Sequence, residues 1–142
     1  MARLALLLPL ALLAAGLALA RGESRYEKFL RQHVDPSDPS PADPRRYCND
    51  LMRRRDMATD RSCKHLNTFI HSSAEQIATV CGAGGEPAGG DLRLSEDAFP
   101  LTLCRLQGGA EPPNCDYGGS DSTQRIIIAC VDGEPVHFET QV

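Results

Sequence analysis

The sequence lacks several features that mark common classes of protein. No two of its six cysteines lie closer than eleven positions apart, so the short Cys-x-x-Cys chelate of a structural zinc site is absent. No second long apolar run follows residue 20, which argues against a membrane span in the rest of the chain. The glycine-rich stretch 81–91 lacks the Gly-Lys-Ser/Thr ending of a phosphate-binding loop and predicts a flexible connection.

The chain also has no excess of positive charge. Its formal net charge is −4, and the charges are unevenly distributed. Residues 21–64 hold 11 basic and 8 acidic side chains, whereas residues 65–142 hold 3 basic and 11 acidic side chains. General affinity for nucleic acid comes largely from neutralising phosphates. A polyanion would therefore have to bind a local basic surface in the first half, and membrane disruption is disfavoured.

The first 20 residues predict a secretory signal peptide. They contain one basic residue, Arg3, then a Leu/Ala-rich run that ends in Ala18-Leu19-Ala20, a typical cleavage pattern. The alternative is a membrane anchor, but the run is of borderline length for a bilayer and no stop-transfer cluster follows. We expect cleavage after Ala20 and one exported domain at 21–142.

All six cysteines lie within that domain. In an oxidising compartment, an even number of cysteines in a short chain predicts a disulfide framework. The residues alone predict three disulfides and leave their pairing open among Cys48, Cys63, Cys81, Cys104, Cys115 and Cys130.

Helical patterns come first along the chain and strand patterns later. The predicted helices are 24–33 with Ser24 as N-cap, 45–56, and 72–80 with Ser72 or Ser73 as N-cap. The predicted strands lie at 91–95, 99–107, 125–131 and 135–140, separated by turn signals such as DYGGSDS (116–122). This order predicts an α+β domain with an antiparallel sheet.

Two of the four histidines suggest chemistry. His71 is expected to be structural and His65 to be exposed, while His33 ends the first helix and His137 lies in the last strand. Two imidazoles can divide the roles of acid and base, and the ammonium of Lys64 can stabilise a growing oxyanion. The set fits cleavage of an RNA phosphodiester without a metal or other cofactor.

Three segments carry a family resemblance. KFLRQH (28–33), CKHLNTF (63–69) and PVHFE (135–139), with the six cysteines, resemble the pancreatic-type ribonuclease family, whose signature is CK-x-x-NTF. The resemblance covers essentially 24–142. Within the family the chain is most similar to angiogenin-like members, which have three disulfides and contain stretches like RRYC (45–48) and MRRR (52–55). The resemblance implies short N-terminal helices on a bent antiparallel sheet.

The resemblance implies a role for each site residue. His33 is the general base, His137 the general acid, Lys64 the transition-state cation and Glu139 the group that orients His137. The implied substrate-binding residues are Gln32, Asn67, Thr68, Phe138, Lys28, Arg31 and Arg105. The implied disulfides are Cys48–Cys104, Cys63–Cys115 and Cys81–Cys130.

The chain departs from the family pattern at several positions. Glu139 replaces an aspartate, and DRSCK (60–64) has one residue more than the pancreatic pattern, which is expected to shift Lys64 slightly. Thr140 stands where angiogenin has a glutamine that blocks the pyrimidine site, so we expect a more open pocket. Val131 replaces an acid that contacts the second base, so adenine preference downstream is not expected.

These features predict a secreted, metal-free endoribonuclease that cleaves 3′ of pyrimidines through a 2′,3′-cyclic phosphate. The alternative is an angiogenin-like secreted signalling protein, in angiogenesis or host defence, with weak ribonuclease activity. The expected partners are single-stranded RNA, including transfer RNA, and a cytosolic ribonuclease inhibitor. A monomer without membrane insertion is expected. The cluster Arg53–Arg55 predicts either nuclear uptake or a solvated helix face.

Overall fold

Three short helices and seven strands make up the described part of the chain. The computed structural model describes residues 22–37, 41–108 and 111–142. The predicted signal peptide and residues 38–40 lie outside these ranges. The helices are α1 (Arg25–His33), α2 (Pro44–Arg54) and α3 (Ala74–Ala78), which continues as a 3₁₀ turn (Thr79–Cys81). The strands are β1 (Leu66–Ile70), β2 (Gly85–Pro87), β3 (Leu92–Ser95), β4 (Phe99–Leu106), β5 (Tyr117–Gln124), β6 (Ile126–Val131) and β7 (Glu134–Gln141).

Local capping explains where the helices begin. The Ser24 side chain accepts a hydrogen bond from the Glu27 backbone N–H, and the Glu27 carboxylate accepts one from the Ser24 N–H, both at 3.0 Å. Helix α2 has Asp43 as N-cap followed by proline at its first position. Helix α3 is capped by Ser73. All three predicted helices are therefore confirmed, each within a few residues of its expected bounds.

The strands form two antiparallel sheets, in the orders β1-β4-β5 and β2-β3-β6-β7. Adjacent side chains of a strand point to opposite faces. Strand β1 therefore contributes side chains to two separate hydrophobic cores. Phe69 packs with the buried residues of α2 and β5, whereas Ile70 packs with those of α1, α3 and β6. The predicted α+β class is confirmed, with the strands divided between two sheets.

The prediction of a turn at DYGGSDS was wrong, because residues 117–122 of this segment lie in strand β5. The strand pairs with β4 along its whole length. A side chain at Gly119 would collide with the carbonyl oxygen of Pro44 at the start of α2. Gly119 therefore permits close packing of α2 on β5. Composition alone does not distinguish a glycine used in this way from a glycine in a turn. The glycine-rich stretch 81–91 likewise contains strand β2.

Three disulfides join the elements. Cys48–Cys104 links α2 to β4, Cys63–Cys115 links the segments before β1 and β5, and Cys81–Cys130 links the 3₁₀ turn to β6. This is the pairing that the resemblance implied. Each closes a loop of roughly 50 residues, for which the chain-entropy model gives about 4 kcal/mol of stabilisation. Among the described residues, no helix has the length and apolar character needed to cross a membrane.

Candidate active site

His33 is held at the last position of α1 with a defined tautomer. Its Nδ1 lies 2.8 Å from the backbone oxygen of Thr68 in β1. Because a carbonyl oxygen only accepts, Nδ1 carries the proton and Nε2 is the nitrogen with a free lone pair in the neutral ring. The ring packs against Phe29 and Phe138, each with its ring centroid 5.3 Å away.

The surroundings of His33 disfavour its charged form. Burial lowers its pKa to about 3; the hydrogen bond to Thr68 opposes this shift, and the charges of Lys64 and His137 add to it. The imidazole is therefore neutral at pH 7 and able to accept a proton.

Lys64 is half-buried and is fixed through an asparagine. Its Nζ donates to Asn67 Oδ1 at 2.9 Å, and Asn67 Nδ2 donates to the backbone oxygen of Gln32 at 2.8 Å. Asn67 therefore joins the ammonium to the end of α1, next to His33. Burial and the neighbouring charges of Lys28 and Arg31 lower the pKa of Lys64.

The backbone of Lys64 is fixed as well. The Tyr117 hydroxyl donates to the Lys64 carbonyl oxygen at 2.7 Å, and the adjacent Cys63 is bonded to Cys115. The extra residue before Lys64 is accommodated in a turn, where the Thr59 N–H donates to the Ser62 carbonyl and the Ser62 N–H donates to Thr59 Oγ1, both at 2.9 Å.

Tyr117→Phe is expected to lower the free energy of unfolding by about 1–3 kcal/mol, because the half-buried Lys64 carbonyl loses its hydroxyl partner. Urea denaturation measures the change. Tyr26→Phe is the control, since none of the hydrogen bonds among the described residues involves the Tyr26 hydroxyl. Equal stability of the two variants would contradict the assigned contact.

His137 lies in β7 between two irregularities of the β6–β7 pairing. The register shifts between Ile127 and Ile128 and between Ala129 and Cys130, and such bulges redirect side chains. The exposed His137 Nε2 lies 2.9 Å from a carboxylate oxygen of Glu139. Since the carboxylate accepts, Nε2 donates and Nδ1 is left for another partner. Glutamate thus reaches the ring despite its extra methylene.

The two histidines and the lysine line one cleft. The cavity has a volume of about 260 Å³ and is also lined by Gln32, Leu66, Asn67, Thr68 and residues 138–141. A second cavity of about 290 Å³ is lined by His33, His137 and Gln32 together with Arg25 and Lys28. A larger one, about 590 Å³, lies between the end of α2 and residues 112–117 and contains no histidine or lysine. The side chains therefore favour the cleft of about 260 Å³, which both histidines and Lys64 line, as the catalytic site.

Gln141 lines this cleft and binds Thr68, a contact that the sequence did not indicate. The buried Thr68 hydroxyl donates to Gln141 Oε1 at 3.0 Å. The expectation of a more open pocket, based on Thr140, was wrong in this respect. The two-residue period of a strand could not have found it, because the register shift near Glu139 interrupts the alternation. Gln141 pairs with Ile126 and therefore lies on the face of Phe138, which pairs with Ile128.

Two predicted phosphate contacts lie away from the cleft. The Arg31 guanidinium binds Glu23 at 2.6 Å and the carbonyl oxygens of Arg55 and Asp56. Arg105 is exposed on β4 and lines neither cavity beside His33. Of the remaining histidines, His65 is exposed, as expected.

His71 has the structural surroundings expected of it. It is buried, and its Nδ1 and Nε2 contact the Asp35 carbonyl at 2.9 Å and the Thr102 hydroxyl at 2.7 Å.

Comparison with known proteins shows the family of this chain. The model of the family described as pancreatic ribonuclease matches residues 24–139. A ribonuclease of Chelydra serpentina is 59% identical over 84% of this chain and its own whole length, and an angiogenin of Mus musculus is 42% identical over 85% of this chain and 81% of its own. The crystal structure of green turtle egg white ribonuclease superposes with a TM-score of 0.79 at 56% identity, covering 84% of this chain and all of that one. The chain therefore belongs to the pancreatic ribonuclease family and is a ribonuclease.

Proposed function

We propose that this ribonuclease cleaves RNA on the 3′ side of pyrimidines by transphosphorylation. His33 Nε2 takes the proton of the ribose 2′-hydroxyl, and the 2′-oxygen attacks the adjacent phosphorus. The bond from phosphorus to the 5′-oxygen breaks, and that oxygen takes a proton from His137. The products are a 2′,3′-cyclic phosphate and a 5′-hydroxyl.

The observation that carries the proposal is the hydrogen bond from His33 Nδ1 to the Thr68 carbonyl. It leaves Nε2 as the basic nitrogen of a ring that borders the same cleft as Lys64 and His137. The ammonium of Lys64 can stabilise the negative charge that grows on the phosphoryl oxygens. Glu139 orients the ring of His137, and Thr68 offers a hydroxyl for a pyrimidine edge.

The test is cleavage of short oligonucleotides that contain one ribonucleotide, either uridine, cytidine or adenosine, in a deoxy background. We expect cleavage after uridine and cytidine, a cyclic phosphate in the mass of the product, and no loss of rate in EDTA. The His33→Ala/His137→Ala double variant, purified in the same way, measures contaminating ribonuclease. Equal cleavage after adenosine would contradict the pyrimidine preference, and a linear phosphate as first product would contradict the mechanism.

We infer a second candidate, a low-turnover enzyme with an angiogenin-like signalling role, from the Thr68–Gln141 hydrogen bond. This contact occupies the hydroxyl that a pyrimidine would need. A low rate that depends on both histidines, together with binding to cells, would favour this role over that of a high-turnover ribonuclease. Binding by a cytosolic ribonuclease inhibitor and removal of residues 1–20 on export are part of either proposal.

Gln141→Ala is expected to raise kcat/KM on uridine and cytidine substrates by roughly two- to tenfold. The release of one hydrogen bond, worth about 0.5–1.5 kcal/mol, limits the gain to this range. Initial rates at low substrate concentration measure it, and Thr140→Ala is the neighbouring control. A rate that falls in Gln141→Ala would instead make the Gln141 amide a substrate contact.

A further inference from the structure

The end of α1 that carries His33 is capped by side chains from elsewhere in the chain. The last carbonyls of a helix lack partners within the helix. Arg55 Nη1 lies 3.2 Å from the carbonyl oxygen of Leu30 and 2.9 Å from those of Arg31 and Val34. The carbonyl of Gln32 accepts from Asn67. Three consecutive carbonyls before His33 are thus bound by two side chains.

The contact is reciprocal. Arg31 on α1 donates from its Nη1 to the Arg55 carbonyl at 2.7 Å and to the Asp56 carbonyl at 3.2 Å. Its guanidinium is also bound by Glu23. Each arginine therefore binds the backbone at the end of the other's helix, and a cation at a helix C-terminus is favourable both as a donor and toward the helix dipole.

We propose that Arg55 is a positioning residue that holds His33 in place for catalysis. This inference rests on the proposed function, in which His33 is the base. His33 is the last residue of α1, and its ring is fixed by Thr68 and packed against Phe138. Displacement of the last turn of α1 would move Nε2 away from the 2′-hydroxyl, and errors of about 1 Å in such geometry can cost about a hundredfold in rate.

The three arginines at 53–55 are not equivalent. Arg53 is exposed and pairs with Asp50 at 3.2 Å, and Arg54 is exposed. Arg55 is less exposed than either, and its guanidinium is committed to backbone carbonyls. A receptor or RNA phosphate could use Arg53 and Arg54 directly, whereas it would have to disrupt the end of α1 to use Arg55. The sequence motif therefore combines two surface charges with one structural cation.

The test compares Arg55→Gln with Arg54→Gln, since both remove one positive charge at the end of α2. Arg55→Lys keeps the charge but cannot reproduce the planar donor geometry. For each variant we would measure kcat, KM, the melting temperature, and the titration of His33 by NMR. The charged or titratable groups around His33 are unchanged in all three variants. They are Arg25 and Lys28 on α1 itself, Lys64 before β1, and His137 and Glu139 on β7.

In Arg55→Gln we expect kcat to fall about tenfold or more with little change in KM, and the His33 titration to move upward as the ring gains contact with water. Arg55→Lys should show a smaller change in the same direction, and Arg54→Gln should match the wild type. If Arg55→Gln does not fold, the kcat and the His33 titration of Arg55→Lys test the proposal instead.

Two results would overturn the proposal. One is that Arg55→Gln and Arg54→Gln have the same kcat and the same His33 titration. The other is that Arg55→Gln lowers only the melting temperature, which would make Arg55 a link between helices without influence on the base. If the wild type shows no histidine-dependent cleavage, the proposed function fails separately. The His33 titration then still decides whether Arg55 fixes this ring.

Discussion

Alanine at His33 or at His137 is expected to lower kcat/KM for RNA cleavage by about 10²–10⁴-fold. This is the usual contribution of a positioned general acid or base. The loss should appear in kcat, because proton transfer occurs only as the transition state is approached. The double variant should lose less than the product of the two single losses, since residues that act together in one step are not additive.

The pH dependence of the wild type provides a separate test of His33. Its pKa of about 3 lies below the ordinary value of 6.5, because burial disfavours the imidazolium. The base-competent neutral ring therefore persists as pH falls, and it is lost only as the pH approaches the lowered pKa. The acidic limb of kcat/KM reports the free enzyme, so it should lie below pH 6.5.

His65→Ala is the matched control for the two histidine variants, because His65 is an exposed histidine beside Lys64. It should retain wild-type kcat/KM. Wild-type activity in His33→Ala would show that His33 is not the general base. An acidic limb at or above pH 6.5 would mean that the buried environment of His33 does not survive in solution.

The sequence predicted those parts of the fold that local chemistry decides. Ser24 marks the first turn of α1 and Ser73 that of α3, because a cap acts on its immediate neighbours. Strand β5 was missed because the reason for its glycines lies in a distant residue. Gly119 accommodates the carbonyl of Pro44, and no local pattern contains that information.

The same distinction between local patterns and contacts of distant residues applies to the candidate active site. His33, Lys64 and His137 could be named from the sequence through the resemblance, and the fold brings them to one cleft. The contacts that hold or cover them could not be named, because they depend on which side chains meet in three dimensions. Arg55 looked like a member of a surface cluster, and Gln141 looked like a terminal polar residue. Their roles depend on distant carbonyl and hydroxyl groups.

Lys64→Ala is expected to lower kcat by about 10²–10³-fold, the usual effect of removing one preorganised donor to a growing oxyanion. KM should change far less, because the ammonium matters most when charge accumulates on the phosphoryl oxygens. Single-turnover cleavage of a uridine oligonucleotide separates the chemical step from binding. Lys28→Ala is the control, since Lys28 lines the adjacent cavity without lining the cleft that contains Lys64.

The two lysines should respond differently to salt and to substitution. Loss of Lys28 should raise KM and reduce the salt dependence of binding, as expected for a cation that only neutralises a phosphate. Loss of Lys64 should instead leave Asn67 without its ammonium partner and the transition state without its cation. Lys64→Arg keeps the charge on a larger group that must fit beside Asn67, so it should restore only part of the rate.

If Lys64→Ala raised KM and left kcat unchanged, Lys64 would be a ground-state phosphate contact. The proposed reaction would then lack its transition-state cation.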